Sequence, residues 1–371
     1  MRVGINARLL ASPDLRGFNR YTAELVRALA ATGRAELVLF SERPLHPVHR
    51  LEGFRVVCSP VRPQFRWQHV WLPRVLRRER MEVFHAPAQW GFPWICPCPL
   101  VATIHDVADL ERPHVARPGL SVVTARNDLE MAIVVRRAAR IVTVSEWSAR
   151  SIMRHLGVPA DRVAVTVEGA APAFVRASAA HVEAARREAG LPERYFLYVG
   201  GFDERKNVGA LVRALALTPP AHRTAVALVG SDLAGAASLM VEARHAGVAE
   251  WLLPLGSLED ARLASLYSGA LALVLPSWLE GFGLPVVEAM HCGTPAIVAD
   301  AASLPEIAGD AALRFPPAEA AALAAQMARL AEDPGLRAAL TARARERAAR
   351  FTWVRAAEQT AAIYEAVLGG S

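Results

Sequence analysis

Apolar and polar positions along the chain fall into two alternating rhythms. Short, nearly continuous apolar runs recur at Arg2–Asn6, Glu36–Phe40, Phe54–Cys58, Val83–Ala86, Leu100–Ile104, Ile141–Val144 and Val163–Val167. Several lack a polar face, as parallel strands covered on both sides do. Helical patterns lie between them. One runs from about Tyr21 to Ala31, with Leu25, Val26 and Leu29 on one face and Gly33 closing it; another runs from Ser145, placed as N-cap, to Leu156 before Gly157. Strand and helix in alternation predict a doubly wound parallel sheet.

A mixed bridge from Pro172 to Arg194 interrupts the rhythm, and then it restarts. Strands are expected at Tyr195–Val199, Ala225–Val229 and Trp251–Leu255, with helices near Val208–Leu217, Ala234–His245 and Glu259–Ser268. The stretch from Leu271 to Asp300 follows: an apolar strand, a tight loop carrying Glu280 among Gly281 and Gly283, a helix opening at Pro285 and stopping near Gly293, and a second strand. The tail from Ala318 is helical, with breaks at Pro334–Gly335 and near Phe351–Thr352. A restart after a bridge predicts two similar α/β domains, residues 1–176 and 177–351, followed by a last helix over 352–371.

Composition narrows the class. With 371 residues, 53% hydrophobic and 21% charged, the chain can fill two cores and is not generally disordered. A formal charge of +6 fits a phosphate-bearing partner, yet is too small to make nucleic acid the default one. Cys96-Pro97-Cys98 is too tight for an ordinary zinc spacing, and neither Cys58 nor Cys292 completes a site, so all four cysteines read as reduced thiols. MRVGINARLL enters a strand without the apolar run of a signal peptide, and no stretch is apolar enough to span a membrane. The expectation is a soluble, cytoplasmic protein.

In open α/β sheets ligands sit beyond the carboxyl ends of the strands, which singles out the residues just after each strand. Gly200-Gly201-Phe202 precedes Asp203-Glu204-Arg205-Lys206-Asn207, where Arg205 and Lys206 suit a diphosphate; an ordinary charged turn capped by Asn207 reads equally well. Gly230-Ser231 is a weaker instance. Glu280 stands at the mouth of a glycine loop leading into a helix N-terminus, an anion-friendly arrangement, and Glu288 lies about one turn further on. The plain alternative makes Glu280 a solvated loop residue and Glu288 an exposed helical one. His105-Asp106 follows a strand of the first half, with Gly17 and Asn19 on the same rim; a lone histidine is otherwise a structural residue, and Asn19 tolerates the positive φ of a tight turn. The segment RPQFRWQHVWLPRVLRRER, Arg62 to Arg80, mixes basic and aromatic residues. It reads as a surface for anionic lipid or as a helix packing Trp67, Trp71 and Leu72 inward.

Taken in order, RGFNRYTAELVRAL, TIHDV, IVTVSEWSARSIMRHLGVP, YVGGFDERKNVGALVRAL and PSWLEGFGLPVVEAMHCGTPAIVA resemble the retaining glycosyltransferases of family 4. The last stretch carries the family's two glutamates with seven residues between them. The resemblance covers almost the whole chain and implies the GT-B architecture: two facing Rossmann-like domains, with the last helix crossing back to the first. The first domain would bind the acceptor and the second the nucleotide sugar. By position, Glu280 would hold the hydroxyls of the donor sugar, and the backbone of Gly281, Phe282, Gly283 and Leu284 would meet sugar and phosphate. Glu288 would bind the ribose, Arg205 and Lys206 would neutralise the departing diphosphate beside Gly201, His105 would lie by the reacting sugar, and the Gly17 loop would close over the phosphates. Where many relatives have glycine, this chain has Asn19.

The implied activity is retaining transfer of a hexose, mannose-like by preference, from a nucleoside-diphosphate sugar to a saccharide acceptor. That acceptor would be lipid-linked or part of polysaccharide or glycoconjugate biosynthesis, with peripheral contact at the inner face of an anionic membrane through the basic-aromatic segment. No Asp-x-Asp pair occurs, so no metal cofactor is expected. Three rivals share the architecture: a nucleotide-sugar epimerase, an enzyme glycosylating a small natural product, and a binding protein that has lost activity.

Overall fold

The computed structural model describes residues 1–61, 63–111 and 122–370, the side chains of 122–128 excepted. The chain divides into two compact units: the first holds the chain to Glu111, the stretch ending at Glu168 and the tail from Thr352, and the second runs from Gly169 to Phe351.

Seven parallel strands form the first sheet: β1 (Arg2–Asn6), β2 (Glu36–Ser41), β3 (Arg55–Cys58), β4 (Val83–Ala86), β5 (Leu100–Thr103), β6 (Arg140–Thr143) and β7 (Val163–Val165). Their spatial order is β3-β2-β1-β4-β5-β6-β7. The second sheet contains β8 (Tyr195–Val199), β9 (Ala225–Val229), β10 (Leu252–Gly256), β11 (Leu273–Leu275), β12 (Ala296–Ala299) and β13 (Ala312–Phe315), in the order β10-β9-β8-β11-β12-β13. Every described pairing is parallel, so each unit is the Rossmann-like sheet expected from the sequence. Strand order reverses between β1 and β4 in one unit and between β8 and β11 in the other, which fixes where ligand crevices open.

Central strands are buried on both faces, as their unbroken apolar runs require: β4, β5, β9 and β12 have no exposed residue. The strand β13 had no counterpart in the sequence pattern, because Arg314 interrupts it and the strand lies at the sheet edge, half in solvent.

The helix Glu146–Leu156 starts and stops as its punctuation dictates. Ser145 accepts a hydrogen bond from the Ser148 amide at 3.0 Å, and Gly157 is left-handed with φ 64°. The first helix departs from expectation. It spans Gly17–Ala31 and so begins about one turn before the expected start at Tyr21. Phe18 packs its ring against Trp90 and His105, Thr22 donates to the Phe18 carbonyl at 2.7 Å, and Asn19 donates to the Asp14 carbonyl at 3.0 Å. Asn19 is therefore a buried helical residue, and the positive φ, 50°, belongs to Gly17.

Arg62 lies outside the described residues. In the rest of the basic-aromatic segment, Trp67 and Leu72 are fully buried and Trp71 half-buried, while Phe65, Arg66, Val70, Arg74, Arg77 and Arg78 face solvent. The inward-packing reading thus describes its apolar side.

The last helix, Trp353–Gly369, belongs to the first unit. Trp353 meets Tyr21 edge-on at 5.9 Å between ring centroids, and Glu365 accepts from Arg34 at 2.9 Å. Deeper in, the Tyr364 hydroxyl lies 2.6 Å from Nδ1 of His85, whose Nε2 lies 2.8 Å from Thr103 Oγ1. Burial, aided by the nearby His105, pushes the pKa of His85 down from 6.5 to about 3.

Between those two values the unfolded chain binds a proton at this position that the folded chain does not, so stability falls as pH drops through that window. We expect the urea midpoint to decline on acidification from pH 6.5 and His85→Gln, which cannot ionise, to flatten part of that slope. An unchanged slope in the variant would show that His85 is not the titrating group.

Candidate functional site

Two loops meet where the second sheet reverses its strand order. One follows β8 and carries Gly200 to Asn207; the other follows β11 and carries Pro276 to Leu284. Asn207, left-handed at φ 51°, holds them together by donating from Nδ2 to the carbonyls of Pro276 and Pro317, each at 3.0 Å. The Trp278 amide completes the seam by donating to the Arg205 carbonyl at 2.9 Å. Asn207 is therefore more than the cap of a charged turn.

This seam encloses Glu280, which is buried rather than solvated. Lys206 Nζ donates to both of its carboxylate oxygens, at 2.8 and 2.9 Å, and the Ser277 hydroxyl donates at 2.7 Å. Arg205 Nη1 lies 3.8 Å from the same carboxylate and donates to the Leu279 carbonyl at 3.2 Å. Burial alone would raise the carboxyl pKa. The charges of Lys206 and Arg205, with the hydrogen bonds from Lys206 and Ser277, outweigh burial and hold it below its usual value. Glu280 is thus an ionised carboxylate that fixes two cations; Asp203 also faces Arg205, at 3.6 Å, so the cluster is close to charge-balanced and offers an anionic ligand two positioned N–H donors rather than a surplus of charge.

Beside this cluster the helix Leu284–His291 begins, with Gly283 at φ 102° as its N-cap residue and Pro285 in its first turn. A Cβ on Gly283 would stand 2.9 Å from the Leu304 side chain, so the backbone there requires glycine twice over. Ser303 secures the loop: its hydroxyl lies 2.8 Å from the Glu280 carbonyl and 2.9 Å from that of Phe282. Gly281 is buried, and the Phe282 ring packs inward against Phe351, so of Phe282 only the backbone belongs to the loop's ligand-facing chemistry. Glu288 is also buried and accepts from the Tyr267 hydroxyl at 3.0 Å, which replaces the exposed-helix alternative. Gly201 lies in the same region, its carbonyl accepting from the Tyr198 hydroxyl. Gly230 has a different task. A Cβ on it would overlap the Gly200 carbonyl and the Phe202 ring, so it is glycine for backbone packing.

In the first unit a cleft lined by Asn6, Arg8, Leu9, Pro87, Ala88 and Trp90 lies just past β1 and β4, again at the reversal of strand order. Asn6 donates to the Gly91 carbonyl and so fixes the loop after β4. His105, just past β5, has its Nε2 3.1 Å from the Pro87 carbonyl and its Nδ1 3.4 Å from Glu168. Tyr21 and Phe18 meet its ring edge-on at 4.5 and 4.7 Å. His105 is therefore a residue with both ring nitrogens engaged, in an aromatic setting. Gly17 begins the helix that supplies those two rings.

Sequence reasoning did not pick out Ser277, Ser303, Tyr267 or Glu168, each of which holds a predicted residue. Ser277 stands three residues before Glu280 on the same turn and was open to detection; the other three reach their partners across distant strands and helices. Among the described residues no group of three or more His, Cys, Asp or Glu is arranged to hold a metal ion.

Residues 182–347 match the family described as glycosyl transferases group 1, and residues 15–170 match glycosyltransferase family 4. The O-antigen chain mannosyltransferase B of Escherichia coli is 34% identical over 231 residues, which is 62% of this chain and 61% of that protein. The D-inositol 3-phosphate glycosyltransferase of Acidothermus cellulolyticus is 30% identical over 398 residues, covering 96% of this chain and 86% of that protein. Among solved structures, the sucrose-phosphate synthase of Thermosynechococcus elongatus aligns over 100% of both chains with a TM-score of 0.79 and 23% identity. Anabaena HepE in complex with UDP and glucose aligns over 98% of this chain and 99% of its own, with a TM-score of 0.79 and 20% identity. The chain belongs to the group 1 glycosyl transferases of family 4, built on the GT-B fold.

Proposed function

We propose that the protein transfers a hexose, mannose by preference, from a nucleoside-diphosphate sugar to a saccharide acceptor with retention of configuration. The observation that carries this reading is the Lys206–Glu280–Arg205 cluster at the strand reversal, beside the N-terminus of the helix Leu284–His291. Negative charge grows on the diphosphate as it leaves, and fixed cations aimed at that charge stabilise the transition state more than the ground state. In this reading Arg205 and Lys206 supply the charge that a metal would otherwise bring, and no cofactor is required. Glu280 holds both cations and presents its remaining lone pairs to the sugar, Gly281 to Leu284 line sugar and phosphate with backbone, and Glu288 takes the ribose hydroxyls. His105 stands by the reacting sugar, and Gly17 lets the chain approach the phosphates. Attack by the acceptor from the face the diphosphate leaves gives retention.

The name of the Escherichia coli mannosyltransferase supports the choice of mannose and of a polysaccharide product, and the UDP and glucose complex of HepE supports a nucleotide-sugar donor. For the acceptor, a lipid-linked saccharide at the inner face of the membrane fits an exposed stripe on the segment following Pro63. Arg66, Val70, Arg74 and Arg77 recur at helical spacing, with Phe65 beside them. No helix among the described residues is long and apolar enough to cross a membrane, so contact would be peripheral.

Thermal shift against nucleoside diphosphates and their sugars should find a donor that raises the melting temperature. Lys206→Ala should weaken that donor about ten- to a hundred-fold, the worth of a charge-assisted hydrogen bond. Glu288→Ala should weaken the nucleotide while sparing turnover at saturating donor, whereas Glu280→Gln should lower turnover; equal behaviour of the two glutamate variants would refute this division. With donor and acceptor in hand, proton NMR of the first product formed should show the anomeric configuration of the donor. An inverted product would reject retention, and isomerised donor formed without acceptor would favour an epimerase. Sedimentation with vesicles should show binding to anionic but not neutral lipid, reduced in Arg66→Glu/Arg74→Glu/Arg77→Glu; binding indifferent to lipid charge or to these changes would remove the membrane from the proposal.

A further inference from the structure

The loop between β4 and β5 carries the sequence Ile95-Cys96-Pro97-Cys98-Pro99, and its backbone chemistry places two thiols side by side. Each cysteine precedes a proline, and a residue in that position is steered into extended conformation by the proline ring. Pro97 also fixes its own φ. In a fully extended segment residues two apart would project to the same side; the chain in fact bends at Pro97 and Cys98, and the two thiols still face one another. The Sγ atoms lie 3.9 Å apart, and both residues are partly exposed. The hydrogen bond from Cys98 holds the Cys96 thiol below its ordinary pKa against the opposing effect of burial, and the Cys98 thiol is pushed up by the same bond and by burial. Of the two, Cys96 is the one whose thiolate is favoured and hence the better nucleophile.

We propose that Cys96 and Cys98 form a reversible dithiol–disulfide pair that takes a low-molecular-weight disulfide as its oxidant. The Cys96 thiolate attacks one sulfur of the oxidant, forming a mixed disulfide and expelling one thiolate, which takes up a proton. Cys98 then loses its proton to solvent and attacks the Cys96 sulfur, closing the intramolecular bond and releasing the second thiol. The oxidant gains the two electrons that the pair loses. A fully extended pair would advance about 6.6 Å, and the bend at Pro97 and Cys98 shortens that, within the Cα separations a disulfide bridges. The bond lies at a partly exposed position and is open to attack by thiols, the behaviour of a labile disulfide and not of a structural one.

The position gives the pair something to act on. The same loop supplies the Pro87 carbonyl to His105, the Gly91 carbonyl to Asn6 and the Phe92 carbonyl to Gln68, the last at 2.8 Å. The Trp94 amide is held by His69 at 3.3 Å, and the Pro99 carbonyl accepts from Phe84 at 3.0 Å as β5 begins. Cys96 and Cys98 lie between these last two anchors, so oxidation ties a crosslink into the stretch of the loop between Trp94 and β5. The remaining thiols are elsewhere: Cys58 is exposed on β3 and Cys292 is buried in the second unit.

The test is independent of any donor or acceptor. In a Cys58→Ser background, protein is incubated with oxidised glutathione, quenched by alkylation and weighed intact, with peptide mapping of the loop. The expected product lacks two hydrogens, carries no glutathione, maps to a Cys96–Cys98 bond and reverts with dithiothreitol. Adding Cys98→Ser should trap a glutathione adduct on Cys96, and adding Cys96→Ser should give a slower adduct on Cys98. A stable adduct on protein with both cysteines, a disulfide between two chains, or no reaction in any of the three proteins would each overturn the proposal.

Discussion

Glu280 is a carboxylate out of water, and a buried charge without a partner is not tolerated. Its ionisation depends on Lys206 and Arg205, which come from a loop more than seventy residues earlier in the chain, so one electrostatic requirement joins the ends of β8 and β11. Removing Lys206 would leave the buried carboxylate with only Arg205 at 3.8 Å and the Ser277 hydroxyl, so it weakens the ionised state on which the joint rests. The seam that Asn207 and Trp278 add is the backbone counterpart of the same requirement. Ser303 then sets the glycine loop relative to the carboxylate, and the helix behind it inherits its direction from that loop.

The first unit meets a similar need by other means. Asn6 and His105 each find a carbonyl on the segment after β4, and three aromatic rings close the space around the histidine. Glu168, the last residue before the chain passes to the second unit, supplies the carboxylate. A histidine engaged at both nitrogens has a fixed orientation, so its usefulness lies in where it stands and not in a freely available nitrogen.

Much of this was legible in the chain because strand, glycine turn and helix leave local signatures. Gly283, Pro285 and Gly293 mark the helix behind Glu280, and Ser145 with Gly157 marks another, since capping depends on residues a few positions apart. The pairing of Arg205 and Lys206 with a diphosphate was open as chemistry, but their grip on Glu280 was not, because nothing in local spacing reports a contact between two strand ends. The extra turn from Gly17 was missed because Phe18 is held by Trp90 and His105, residues far along the chain whose packing overrides the loop-like appearance of Leu15 to Arg20. The edge strand β13 escaped for the opposite reason: it is only four residues long, half in solvent and broken by Arg314.

The division of the chain has a consequence for its synthesis. The first unit needs the tail from Thr352, whose Tyr364 bonds to His85 and whose Trp353 covers Tyr21, whereas among the described residues the second unit runs from Gly169 to Phe351. On the ribosome, where domains fold as they emerge, the unit begun first is therefore completed last. Until the final helix is released, His85 lacks its hydroxyl partner and the apolar flank of Gly17–Ala31 stays open, so the nascent chain carries a finished second unit tethered to an unfinished first one.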